Sequence, residues 1–297
     1  MGHDAIATTE GKLPYAGFAT WYRIAGEPAD KPPLLALHGG PGAESGYLWT
    51  LDALADGGRQ VVYYDQIGCG NSPADSRPSR WTMDFFLGEL DNVIAGLGLS
   101  SYHLLGQSWG GMLAAAHAAR RPDGLRGLIL ADTPISLPEW LAETRRLIGE
   151  MPEPHRTALL EGERTGETAT PAYAEALGAF MKKHMFRADD APDESDMDDL
   201  SEPYLVMWGE SELRPTGTMR DADLTPLLPR IAAPTLVLHG RYDQCTDAVV
   251  RRTLDGIPDA RAVRFEHSGH IPNLDEPEAF NAAVARFLDE VEATAKR

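Results

Sequence analysis

The chain reads as an α/β protein, with a mostly parallel sheet flanked by helices and an inserted helical cap. Three observations predict this. Short runs that are apolar throughout, such as Pro33-Leu-Leu-Ala-Leu-His38 and Val61-Val-Tyr-Tyr-Asp65, alternate with helix-forming segments, as strands covered on both faces do. These runs open directly into glycine-rich loops, too irregular for helix or strand. The alternation stops after residue 133 and resumes near 226, with only helix-like segments between. Residues 1–133 and 226–297 are therefore expected to form one α/β core, and 134–225 the cap.

In order, strands are expected at 19–25 and 33–38, a helix at about 45–56 and a strand at 61–65. An amphipathic helix follows at 82–97, where Phe85, Phe86, Leu90, Val93, Ile94 and Leu97 fall at spacings of three and four. The run Ser101-Tyr-His-Leu-Leu is a buried strand, and Met112-Leu-Ala-Ala-Ala-His-Ala-Ala-Arg is rich in helix formers. Gly127–Asp132 is another strand. The cap has helix-like segments at about 138–149, 155–163 and 171–186, then an acidic run, 189–199, read as a solvated loop or helix start. A strand at 233–239, a helix near 246–255, a strand near 261–265 and an amphipathic helix near 277–293 close the chain.

Composition narrows the function. The 297 residues are 43% apolar and 24% charged, enough for a large globular core. A net charge of −18 argues against nucleic acid as a partner, because phosphate binding needs a basic face. The two cysteines, Cys69 and Cys245, make neither a disulfide framework nor a zinc spacing. The N-terminus lacks a basic segment followed by an apolar one, and Ile6 argues against myristoylation. No apolar run approaches the roughly 18 residues of a membrane span. A soluble, cytoplasmic protein without metal or cofactor is expected.

The chemistry centres on Gly106-Gln-Ser-Trp-Gly-Gly111. A strand meets a helix there across G-x-S-x-G, which places a serine on a sharp turn. Gly106 and Gly110 allow strand and helix to approach closely, and Ser108 stands above a helix N-terminus that favours an oxyanion. A serine hydroxyl needs a base, and the base an orienting acid. In such a sheet these groups leave carboxyl ends of strands in the order Ser, Asp/Glu, His. Asp243 and His270 satisfy that order. Asp132 also ends a strand and is the competing acid, while Asp247 caps or opens the next helix. His267 and His270, three apart, would also suit a metal pair, but no further ligands cluster nearby. His38, His117 and His239 are read as structural. The oxyanion hole needs two N–H donors. Trp109 supplies one and the loop His38-Gly-Gly-Pro-Gly42 the other, through Gly40, because Pro41 has no N–H.

The combination of His38-Gly-Gly-Pro-Gly42, Asp65-Gln-Ile-Gly-Cys-Gly-Asn-Ser72, Gly106-Gln-Ser-Trp-Gly-Gly111, Gly240-Arg-Tyr-Asp243 and His267-Ser-Gly-His270 resembles the proline iminopeptidase family of α/β-hydrolases, and most closely its tricorn-interacting aminopeptidase branch. The likeness spans about 34–132 and 204–288. It implies Ser108, Asp243 and His270 as the triad, with Gly40 and Trp109 as oxyanion donors. It also implies release of N-terminal amino acids from short peptides, or hydrolysis of amino-acid amides, through an acyl-enzyme.

In Met207–Thr218, Glu212 matches the family's amine-binding glutamate; a solvated cap residue is the plainer reading. The branch carries a second glutamate directly after the catalytic aspartate, and here that place holds Gln244. Glutamine accepts a hydrogen bond but brings no charge. Glu210 is the candidate to compensate. The departure keeps open a second reading, an esterase, lactonase or acyltransferase acting on a small molecule without a free amine. A non-catalytic binding protein on the same scaffold is the third.

Overall fold

The computed structural model describes residues 6–188 and 200–295, so the acidic run at 189–199 lies outside the described residues. The strands are β1 (Thr8–Tyr15), β2 (Phe18–Ala25), β3 (Leu34–Leu37), β4 (Val61–Tyr64), β5 (Tyr102–Gln107), β6 (Leu125–Ala131), β7 (Thr235–Gly240) and β8 (Ala260–Phe265). They form one sheet in the order β1-β2-β4-β3-β5-β6-β7-β8. The β1–β2 and β2–β4 pairs are antiparallel, and every pair from β4 to β8 is parallel. The predicted α/β class, a mostly parallel sheet flanked by helices, is the observed one.

Strand periodicity explains the unbroken apolar runs. Successive side chains point to opposite faces, and both faces of this sheet are covered. On one face Leu35, Leu37 and Leu104 pack with Phe86, Leu90 and Val93 of α1 (Met83–Gly96) and with Met112 and Leu113 of α2 (Trp109–Ala118). On the other, Leu34, Ala36 and Leu105 pack with Phe280, Val284 and Phe287 of α9 (Pro277–Ala295). Thr82 caps α1 by accepting the Phe85 amide at 3.2 Å.

Between β6 and β7 the described residues hold helices and no named strand: α3 (Leu137–Gly149), α4 (His155–Thr165), α5 (Pro171–His184) and α6 (Glu202–Met207). They carry an apolar cluster of their own, including Leu147, Leu159, Tyr173, Phe180 and Leu213. After β7 come α7 (Asp247–Gly256), β8, the short α8 (Pro272–Asp275) and α9. None of the described helices is long and apolar enough to cross a membrane.

Three elements differ from expectation. β1 has no apolar run to announce it: Thr-Thr-Glu-Gly-Lys-Leu-Pro-Tyr is largely exposed, a one-sided edge strand where Pro14 is tolerated. The segment expected as an ordinary helix at 45–56 is 3-10 over Gly46–Gly57, ending on Gly58 with φ 71°. The short α6, with Pro203 in its first turn, is too brief to leave a helical period in the sequence.

Position matters most at the junction of β3, β5 and α2. Leu37 pairs with Gly106, and α2 rises so close to β3 that a Cβ on Gly110 would strike the Leu37 and His38 carbonyls. The Gly110→Ala variant is expected to lose about 1–3 kcal/mol of stability, the usual cost of overpacking a core, read as a lower urea midpoint at unchanged m-value.

Candidate active site

The carboxyl ends of β3, β5, β6, β7 and β8 lie along one edge of the sheet, where open α/β sheets bind ligands. Ser108 follows β5 at φ 54° and ψ −119°, outside the regions non-glycine residues favour. Its amide donates to the Ala131 carbonyl at 2.8 Å, and its own carbonyl accepts the Gly111 and Met112 amides. Asp243 lies three residues past β7, and His270 five past β8. His270 Nδ1 and Asp243 Oδ1 are 2.7 Å apart, with both residues buried. The second predicted strand-end acid, Asp132, is buried and interacts with Asp243.

Its Oδ1 accepts the Gly240 amide at 3.2 Å, which ties β6 to the turn carrying Asp243. The Oδ2 atoms of Asp132 and Asp243 are both buried without another hydrogen-bond donor. Two carboxylates in that position cannot both stay ionised. Burial, then the Asp243 charge, raises Asp132 well above the ordinary carboxylate range. Asp243 goes the other way: burial pushes it up, but the charge and hydrogen bond of His270 outweigh that and hold it below its usual value. Asp132 thus holds the proton and Asp243 the charge that faces His270.

Three loops are knitted together around the serine. The Gly39 amide donates to Tyr47 Oη at 2.7 Å, Tyr47 donates to Gln107 Oε1 at 2.7 Å, and Gln107 Nε2 donates to the His270 carbonyl at 3.0 Å. A second network starts at Trp109, whose Nε1 donates to Gln66 Oε1 at 2.9 Å. Gln66 Nε2 donates to the His38 carbonyl at 3.2 Å, and the Gln66 amide donates to His38 Nε2 at 2.9 Å. Burial lowers the His38 pKa, consistent with a neutral ring accepting at Nε2 and donating from Nδ1 to the Gly39 carbonyl at 2.9 Å. His38 orders the loop that contains Gly40. Gly40, at φ 115°, adopts a backbone that other residues rarely do. Trp109 opens α2, so its amide has no carbonyl partner within the helix.

A cavity of about 760 Å³ above this edge is lined by Ser108, His270, Gly40, Glu212 and Gln244 together with apolar residues such as Trp140 and Trp208. A slightly larger one, about 830 Å³, lies at the opposite, amino-terminal ends of β6 and β7 among Lys31, Arg126, Pro234 and Glu290. It contains none of the predicted site residues.

Glu212 is half-buried. Burial raises its pKa, against a hydrogen bond from Tyr204 and the nearby charge of His270. Gln244 is buried. Glu210 is exposed and not part of the cavity lining. Glu210 and Glu212, two residues apart, thus meet different surroundings, and the cavity lining gives no support to the expectation that Glu210 compensates for Gln244. His267 is exposed, with its amide donating to Glu276, whereas His270 is buried. Asp247 begins α7 and pairs with Arg264 at 2.8 Å. His117 is bonded to Tyr102 at 2.7 Å and His239 sits 3.7 Å from Asp247, both buried.

Among the described residues, one cluster holds three metal-type donors: Asp243, Cys245 and His270, within 4.8 Å of one another. Burial pushes the Cys245 thiol well above its ordinary range, and a protonated thiol is a poor ligand. The Asp243–His270 hydrogen bond already engages two of the three.

Sequence reasoning missed Tyr47, Gln66, Gln107 and Tyr204. For Gln107 a signal existed, a polar residue ending an otherwise apolar strand. The others touch the site only through tertiary contacts.

The Asp132 proton has a consequence for stability. Asp132 is protonated in the folded protein at pH values where an unfolded aspartate, near 3.9, has ionised. Its contribution is therefore complete below that value and lost as pH rises through the elevated folded one. The Asp132→Asn variant keeps a donor toward Asp243 but carries no proton to lose. Relative to the parent it is expected to gain stability steadily from acid to alkaline pH, read from urea midpoints across that range.

The comparisons agree with this geometry. Residues 32–277 match the model of the alpha/beta hydrolase fold. A proline iminopeptidase of Clostridioides difficile is 39% identical over 289 residues, covering 95% of this chain and 98% of the relative. One from Lactobacillus delbrueckii subsp. lactis is 38% identical over 295 residues, covering 94% and 98%. Among solved structures, the proline iminopeptidase of Mycobacterium smegmatis superposes with a TM-score of 0.91 at 35% identity, over 97% of this chain and 100% of that one. The structure of VinJ gives 0.90 at 39% identity, over 95% and 99%. With a strand-end serine, a bonded His–Asp pair and relatives matched over nearly their whole length, the chain is a member of the proline iminopeptidase family of α/β-hydrolases, serine hydrolases of the aminopeptidase type.

Proposed function

We propose that the protein releases the N-terminal residue from short peptides, or hydrolyses amino-acid amides, with Ser108, His270 and Asp243 as the triad. The observation that carries this reading is the Glu212 carboxylate, which lines the same cavity as Ser108 and His270. A substrate with a free α-amine puts an ammonium one carbon from the scissile carbonyl. A carboxylate in a partly dry cavity favours that ammonium and disfavours the uncharged amide of an internal peptide position.

Ser108 Oγ attacks the carbonyl carbon while His270 Nε2 takes its proton. Asp243, held to Nδ1, orients the ring and stabilises the imidazolium. The tetrahedral oxyanion is met by the Trp109 and Gly40 amides, where one donor is worth roughly 2.7–4 kcal/mol. His270 returns the proton to the departing amine, leaving the aminoacyl group on Ser108. Water, deprotonated by the same ring, then attacks the ester and frees the amino acid and Ser108. The helices of 134–225 form the cap that bounds the substrate.

A second reading is favoured by Gln244, which lines the cavity and contributes no charge. It is hydrolysis or transfer of an uncharged ester or lactone by the same serine.

The test compares amino-acid p-nitroanilides with a free amine against their N-acetylated forms and against aryl esters. The free amine is expected to be preferred, Glu212→Gln to remove that preference, and Ser108→Ala to abolish turnover and fluorophosphonate labelling. Equal turnover of free and acetylated amides would leave the ester reading. The pH dependence offers an independent check. Because burial raises the Glu212 pKa, the carboxylate is lost at a pH above the range near 4.3 where an ordinary glutamate titrates. KM for the free-amine substrate is therefore expected to climb with acidification from a higher pH than that, while KM for the acetylated one does not.

A further inference from the structure

Glu163 of α4 reaches across to the segment that carries Glu212. Its Oε1 accepts from Ser211 Oγ at 2.8 Å and from the Tyr173 hydroxyl, and its Oε2 accepts from Arg214 Nε at 3.2 Å. Ser211 and Arg214 stand one residue before and two after Glu212, so a single side chain fastens both ends of that turn. The Trp208 indole, donating to the Ser211 carbonyl at 3.0 Å, fixes it from below. The Glu163 carboxylate is 13% exposed and the Arg214 guanidinium 36%.

Arg214 is the cation nearest to Glu212 along the chain. A guanidinium paired with Glu212 would neutralise it and add a positive charge where an ammonium must approach. In the structure Glu212 is influenced by Tyr204 and by His270, while the Arg214 guanidinium is engaged by Glu163. Resting on the reading of Glu212 as the amine-binding residue, we propose that Glu163 is a positioning residue for amine selection. It fixes the 211–214 turn and sequesters Arg214, so that Glu212 faces the cavity as a free carboxylate.

Glu163→Gln tests this, since it preserves shape and can still accept from Ser211 and Tyr173 but loses the ion pair. The readout is the ratio of kcat/KM for a free-amine amino-acid p-nitroanilide to that for its N-acetylated form. A ratio cancels differences in the amount of active enzyme. Glu163→Gln is expected to lower it about tenfold, mainly through KM of the free-amine substrate, the scale of one charge-assisted contact misplaced.

The double variant Glu163→Gln/Arg214→Gln is expected to recover most of the loss, because the released cation is gone. Arg214→Gln alone should leave the ratio at or above the parent value, and it keeps the test decisive if Glu163→Gln fails to fold. A purely structural Glu163 would make the double variant no better than the single one, and that result, or a fall in Arg214→Gln, would overturn the proposal. Glu212→Gln in the same assay separates the two levels. If it leaves the ratio unchanged, the amine-binding reading fails. If it lowers the ratio while Glu163→Gln does not, only the role of Glu163 is lost.

Discussion

Everything at this site depends on a backbone held where it would not rest by itself. Ser108 at φ 54° is an unfavourable residue, and its turn persists because the surroundings leave no alternative. The strand before it is paired on both sides, by β3 and by β6. The helix after it is buried along its whole length. Its glycines let that helix approach the β3 carbonyls to a separation no side chain would allow. Strain of order 1–3 kcal/mol is small beside the apolar burial on both faces of this sheet, and it is concentrated on the hydroxyl that the site exposes.

The same compression shapes the charges. Parallel strands ending side by side deliver Asp132 and Asp243 to one dry place, and the only stable occupancy there is a single negative charge. It resides on Asp243 because His270 is bonded to that residue, while Asp132 faces the Gly240 amide and Asp243 itself. Asp132 was a reasonable competitor for the acid when only chain order was in view. What separates the two is which carboxylate meets the imidazole, a fact of three dimensions.

Much of the core was legible because its signals are local. Apolar runs, glycine-rich strand ends and the G-x-S-x-G turn are properties of a few consecutive residues, and strands β2 to β8 follow from them within a residue or two. The residues now bonded as His270 and Asp243 were legible too, since chain order in this architecture nearly dictates which loops face Ser108. β1 was not, because an edge strand lacks the two-sided burial that makes a run apolar. Apart from the Gly39–Tyr47 bond, whose partners are eight residues apart, Tyr47, Gln66 and Gln107 act through hydrogen bonds spanning 28 to 163 residues, beyond any local window of sequence. Glu210 and Glu212 show the reverse failure. Two acids in adjacent alternate positions look equivalent on paper, and only the folded surroundings, solvent for one and the cavity for the other, tell them apart.

The histidine loop and the Glu212 segment also share an anchor. The His270 amide donates to the Met185 carbonyl just past α5 at 3.0 Å. Asp275, on α8, accepts the Arg187 and Ala188 amides through Oδ1 and the Gly269 amide through Oδ2, at 2.8 to 2.9 Å. The loop carrying His270 is therefore bonded directly to the helical excursion that also supplies Glu212 and Glu163. On the proposed reading, a carboxylate that selects an ammonium must stand at a fixed distance from the serine, because the substrate's amine and carbonyl are separated by a single carbon. With the histidine loop bonded to residues 185–188 and the Glu212 segment to Glu163 of α4, both are tied to that one excursion, which would keep the distance set by the fold.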